Sequence, residues 1–172
     1  MLCAALRKHG NVTHIHSRNP PVKLTEVRGE HFSTRQVSEE NLDQHVVIYI
    51  YKNPIKSLFS RHLKKSARVN IEAEDPEKGL QETVRDKVDY MGFEEFYRNY
   101  TTPNPERNYK IVCVKYDDIF DRQDELSAVL GVGPLELVRK ETNRTYEHED
   151  VLMEIYGHLI DEMEKNDFIM VC

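Results

Sequence analysis

The chain has 172 residues with a net charge of -6, 39% apolar and 31% charged residues. That length suits one domain able to bury its own core, and the acidic balance excludes a general nucleic-acid binder, so any basic site must be local. Three well-separated cysteines, Cys3, Cys113 and Cys172, form no CxxC pair and no even-numbered framework, which argues against a disulfide scaffold or a zinc site and predicts a reducing compartment. No apolar run reaches the length of a membrane span, and the N-terminus lacks a signal-peptide pattern.

Leu2–His9 reads as a short helix with Leu2, Ala5 and Leu6 on one face and Gly10 as its stop. Asn11–Ser17 alternates like a strand, with Val12, His14 and His16 on one face. The two histidines lack the further ligands that a metal would need. Arg18–Gln44 is polar, with Pro20-Pro21 and Gly29. Its weak alternation over Lys23–Arg28 and His31–Val37 fits either a hairpin or a surface loop. Ser38-Glu39-Glu40-Asn41 has the composition of a capped short helix.

Val46–Tyr51 is an unbroken apolar and β-branched run, the pattern of a strand buried on both faces, and is expected at the centre of the sheet. Lys52-Asn53-Pro54 ends it. Ile55, Leu58, Phe59 and Leu63 follow at helical spacing, with Pro54 in the helix's first turn. A buried strand feeding a helix N-terminus makes an anion site, because the first backbone amides are unpaired and the helix dipole is positive there.

Beyond the Ser57–Ala67 helix, the charged stretch Arg68–Lys87 reads as a solvated linker, with a mobile flap as the alternative. Val88, Met91, Phe96, Tyr97 and Tyr100 predict an amphipathic helix with an aromatic core stripe. Tyr109–Tyr116 is the next strand, and the paired carboxylates Asp117-Asp118 at its end could bind a metal, act in acid–base work or serve as a turn and helix cap. Asp121–Leu130 is a helix stopped by Gly131. A last helix, about Glu149–Glu164, carries a continuous stripe from Val151 to Met163. Strands alternating with helices predict a three-layer α/β domain with a mostly parallel sheet, in which Val12–His16 and Ile111–Tyr116 flank Val46–Tyr51.

Lys52, Asn53, Pro54 and Ser60 follow their strand at the spacing of the Arg-Asn-Pro…Ser segment that binds the 3′-phosphate in sulfotransferases. Ile111–Tyr116 with Asp117-Asp118-Ile119 is similar to that family's strand ending in Tyr-Glu-Asp-Leu. The resemblance spans most of residues 1–160. It implies a P-loop-like fold and a sulfuryl donor, 3′-phosphoadenosine 5′-phosphosulfate (PAPS), with an acceptor hydroxyl or amine as partner. The cysteine pattern and the lack of a span-length apolar run, for their part, lead to the expectation of a soluble, cytoplasmic protein. Lys52 stands where the family has arginine, which keeps the charge and loses the planar fork.

Under the same resemblance Lys52, Asn53 and Ser60 hold the 3′-phosphate, Asp117 and Asp118 take the turn and helix-cap role, and Arg139-Lys140 matches weakly a basic segment that touches the phosphate. Thr13-His14 resembles a family Thr-His that makes His14 the base, whereas His16 lies nearer the strand's carboxyl end, where open α/β sheets place ligands. The glycine- and serine-rich 5′-phosphosulfate loop is not found, and LCAALRKHG resembles the helix that comes directly after that loop, so the chain is read as N-terminally incomplete. The alternative function is a catalytically inactive nucleotide-binding or protein-interaction domain of the same fold. No GxxxxGK[ST] supports a phosphoryl-transfer enzyme.

Overall fold

The computed structural model describes residues 2–13, 17–26, 37–61, 65–70, 72–139 and 145–172. Its elements, in chain order, are α1 (Leu2–Leu6), β1 (Val47–Tyr51), α2 (Pro54–Arg61), α3 (Lys65–Asn70), α4 (Leu80–Asp86), α5 (Phe93–Thr101), β2 (Ile111–Lys115), α6 (Gln123–Leu130), α7 (Glu149–Lys165) and β3 (Ile169–Val171). Short 3-10 turns lie at Leu24–Glu26, Leu42–Gln44 and Tyr116–Asp118. The fold is mixed α/β. No helix among the described residues is long and apolar enough to cross a membrane.

β2 is the middle strand. It pairs in parallel with β1, with Val47 opposite Ile111 and Tyr51 opposite Lys115, and antiparallel with β3, with Cys113 opposite Met170. Ile111, Val112, Cys113 and Val114 are all buried, as a strand with two neighbours and two covered faces requires. Val112 and Val114, with Ile48 and Ile169, face a cluster built from Leu2 and Leu6 of α1, Leu126 of α6, Leu135, Leu137 and Phe168. Ile111 and Cys113, with Val47, Tyr49 and Tyr51, face Tyr97 and Tyr100 of α5 and Leu159 and Met163 of α7. A third cluster joins Ile55 and Leu58 of α2 to Leu80 of α4 and to Leu152 and Tyr156 of α7.

The sheet differs from the sequence expectation in three ways. It is mixed rather than mostly parallel, because β3 adds an antiparallel partner. Its centre is β2 and not Val46–Tyr51: β1 lies at the edge among the described residues, with Val46 52% and Ile50 37% exposed. Apolar content reports whether a strand's faces are covered and says nothing of whether its edge is paired, so the same run serves at an edge. Asn11–Thr13 and Ser17 are irregular instead of strand, while 14–16 lie outside the described residues.

Other segments also depart from expectation. Lys23–Glu26 contains a 3-10 turn, not a strand, and the rest of the proposed hairpin, 27–36, lies outside the described residues. Of the Ser57–Ala67 helix, the described residues show α2 as far as Arg61 and α3 from Lys65, and its middle, 62–64, lies outside the described residues. Arg68–Lys87 is no linker: α4 forms within it and buries Leu80 and Thr83, while Ala73 is also buried. Few apolar residues were needed, since Glu82 reaches back to accept the Gly79 amide at 2.9 Å and closes the first turn of α4. The aromatic helix is shorter than predicted. Val88 is exposed and precedes α5, whose Phe96 and Tyr100 stack on Tyr49 with centroids 5.7 and 4.4 Å away. Gly131, at φ +64°, caps α6 as expected.

Arg18 is the buried cation among the described residues, 8% exposed. Its Nε donates to the Glu72 carbonyl at 2.9 Å, its Nη2 to the carbonyls of Glu72 and Met91, and its Nη1 to Glu95 at 2.6 Å. The Glu72 carboxylate accepts the Arg18 amide at 2.8 Å. Gly92, at φ +64°, lies against this guanidinium: an added Cβ would sit 2.3 Å from Nη1. Glu72, Met91 and the start of α5 are thus tied to the segment before residue 20.

Candidate functional site

Tyr51 ends β1, and Lys52 and Asn53 carry the chain into α2. The Asn53 side-chain oxygen accepts the Lys56 amide at 3.2 Å and its carbonyl accepts the Ser57 amide at 3.0 Å, so Asn53 is the N-cap of α2. Pro54 is buried at the first helical position, where its missing N–H costs nothing. Ile55 and Leu58 pack on α7, which fixes the direction of α2 and the place of its N-terminus. Asn53→Ala should cost about 0.5–2 kcal/mol of stability through the lost cap. A urea midpoint unchanged from wild type would show that the cap contributes nothing.

A cleft of about 150 Å³ opens at the carboxyl ends of the two parallel strands. Tyr51, Lys52 and Asn53 form one wall, Lys115, Asp117 and Asp118 a second, and Ile160, Met163 and Glu164 of α7 a third. Parallel sheets place ligands at this end. The volume is below the roughly 300–1,000 Å³ of pockets for drug-sized ligands, so it suits a phosphate-sized group and not a whole nucleotide.

The charges around the cleft are mixed. Lys52 Nζ lies 5.0 Å from the centroid of the Tyr116 ring, a cation–π contact that steers the ammonium towards the end of β2. Lys56, in the first turn of α2, pairs with Asp117 at 2.8 Å. Lys115 donates to the carbonyls of Glu164 and Asn166 at 3.3 and 3.0 Å, satisfying the last turn of α7 with a cation. Burial raises the Tyr51 phenol, with Tyr97 adding to it, and its hydroxyl donates to the Asp167 carbonyl at 3.4 Å. Asp118 and Glu164 bring negative charge to the same space and oppose an anion there.

The residues predicted for the site are only partly brought together. Lys52 and Asn53 share the cleft. Arg139 is joined to its wall: Nη2 donates to the Asp117 carbonyl at 3.1 Å and to the Asp121 carboxylate, with the guanidinium 5.2 Å from the Phe120 centroid. Ser60 is exposed in α2, its hydroxyl donating to the Ser57 carbonyl at 2.7 Å, and it does not line the cleft. His14, His16 and Lys140 lie outside the described residues. Asp117 and Asp118 occupy a 3-10 turn, and the Asp118 carbonyl accepts the amides of Asp121 and Arg122, in keeping with a turn role.

Sequence reasoning missed Lys56, Lys115 and Glu164. The signal for Lys56 was present, since a lysine three residues after a capping Asn lies in a first turn. Lys115 reads only as the end of a strand until α7 is brought beside it. Among the described residues there is no group of three or more His, Cys, Asp or Glu placed to hold a metal ion. Comparisons with family models, with curated proteins and with solved structures find no match for this chain.

Proposed function

We propose that this chain is a sulfotransferase-like domain that binds the 3′-phosphate end of PAPS at the Lys52-Asn53-Pro54 turn and, with its 5′ half-site, moves the sulfuryl group to an acceptor hydroxyl or amine. One observation supports the binding half: Lys52 and Asn53 meet at a phosphate-sized cleft where the N-terminus of α2 adjoins the carboxyl ends of β1 and β2. The macrodipole of α2, the Lys52 ammonium and the nearby Lys56 supply positive potential there. Arg139, held on the same wall by Asp117 and Asp121, is a third cation beside the cleft. A P-loop-like fold belongs to this reading, as does a histidine base at His14 or His16.

Calorimetric titration with adenosine 3′,5′-bisphosphate tests it. Charge-assisted bonds contribute roughly 1.5–3 kcal/mol each, so Lys52→Ala should weaken binding about 10- to 150-fold. Ser60→Ala should matter less, because its hydroxyl is committed to Ser57. Equal affinity for wild type and Lys52→Ala would sink the assignment.

A second reading, nucleotide binding without transfer, draws on two features: lysine in place of the arginine fork and the Ser60 hydroxyl turned onto its own helix. Radiolabelled sulfuryl transfer from PAPS separates the two, since only the first reading predicts label on an acceptor.

A further inference from the structure

All three cysteines are free thiols, and two of them meet across the sheet. Cys172 follows β3 and is paired with Ile111: the Ile111 amide donates to the Cys172 carbonyl at 2.8 Å and the Cys172 amide to the Ile111 carbonyl at 2.9 Å. Cys113 lies two residues along β2 from Ile111, on the same face of the sheet, and its Sγ is 3.5 Å from Cys172 Sγ. Sequence spacing hid this pair, because 113 and 172 become neighbours only through the antiparallel return of β3.

The two thiols differ in access. Cys113 is fully buried beneath Tyr100, whose carbonyl lies 3.5 Å from its sulfur. Burial, with the neighbouring Cys172 sulfur second, raises its thiol well above the ordinary range. Cys172 is partly exposed and lies at the rim of the cluster. An oxidant therefore reaches Cys172 first, and only Cys113 is placed to answer it.

From this juxtaposition we propose that Cys113 and Cys172 form an oxidation site for small peroxides, in which Cys172 reacts and Cys113 resolves it to a reversible disulfide. In the first step the Cys172 sulfur attacks the O–O bond of hydrogen peroxide and becomes a sulfenic acid, with one water released. In the second, the Cys113 thiol gives up its proton as its sulfur attacks the sulfenic sulfur, and the hydroxyl leaves as a second water. Two thiols are oxidised and one peroxide is reduced. The sulfurs must close from 3.5 Å to about 2.05 Å. The side chains are diagonal neighbours on one face, so β3 has to move towards β2, and β3 is only three residues long. The cross-link then clasps β3, and the end of α7 before it, to the middle strand. The proposal does not depend on nucleotide binding.

Treating the folded full chain with a few equivalents of hydrogen peroxide, then alkylating and mapping peptides, tests it. The expected result is a Cys113–Cys172 cross-linked peptide, loss of two thiols per chain, a still-alkylatable Cys3 and full recovery with dithiothreitol. The melting temperature should rise by about 5 °C on oxidation and not in Cys172→Ser. Cys113→Ser should leave Cys172 as a sulfenic acid that dimedone traps. Because that variant alters a buried position, Cys172→Ser provides the independent arm, with Cys113 staying reduced under the same peroxide. Sulfinic acid at Cys172 without cross-link, a disulfide between two chains instead of within one, or an unchanged melting temperature would overturn the proposal.

Discussion

Arg18→Met should destabilise the protein by about 2–4 kcal/mol, because it leaves the buried Met91 carbonyl and the part-buried contact at the Glu72 carbonyl without their donor. The Glu95 contact adds little to this figure, since that carboxylate is 57% exposed and screened. For a chain of this size the loss corresponds to a fall of about 5–15 °C in melting temperature. Gly92→Ala should act at the same place by two routes, an unfavourable left-handed φ for a residue with a Cβ and a Cβ only 2.3 Å from the guanidinium. The double variant should then cost less than the sum of the two, because removing the guanidinium relieves the clash. Arg18→Met within about 0.5 kcal/mol of wild type in urea denaturation would show that the network is incidental.

The second large effect is alkaline unfolding. Burial raises the phenols of Tyr49, Tyr51, Tyr97, Tyr100, Tyr109 and Tyr156 above the ordinary value of 10.0, that of Tyr100 to about 12. Several hydroxyls also donate to fixed acceptors: Tyr100 to the Ser17 carbonyl and Tyr156 to Asp89, both at 2.8 Å. A tyrosine is neutral when protonated, so a raised folded-state value means that the folded chain holds protons which the unfolded chain has released. This contribution is fully present below pH 10 and is lost as pH rises towards the folded values. Tyrosinate absorbance should therefore show these six phenols ionising only above pH 10, in one step with the loss of far-ultraviolet circular dichroism. Smooth titration of every phenol near pH 10 with the fold intact would contradict the packing of α5 against β1.

What could be read from the chain beforehand depended on whether the deciding interaction was local. Gly131 stops α6 and Asn53-Pro54 starts α2 through bonds within one turn, and both were legible. The periodicity of α7 was long enough to define its buried stripe. β3 was not legible, because three residues carry no periodicity and its role comes from pairing with Val112–Val114. The place of β1 at the edge failed for a similar reason: edge and centre differ in a neighbour, not in composition. At the candidate site, Lys52 and Asn53, which line the cleft, were singled out through the spacing of the sulfotransferase-like motif. The opposing Glu164 and the lysine that caps α7 were not, since a distant helix brings them there. Arg18 looked like any loop cation, and only its partners at Glu72, Met91 and Glu95 mark it as buried.

The strand order bears on how the protein is made. β1 pairs with a strand about sixty residues downstream, and β2 with another about as far again, so every rung of the sheet closes a long loop. At translation rates of about 5–20 residues per second, β2 emerges with β1 available and then waits roughly 3–12 s for β3. During that interval its free edge, Ile111 to Val114, is a bare template of apolar residues for another nascent chain. Slow codons or a bound chaperone between β2 and α7 should change the yield of folded protein more than the same intervention before β1.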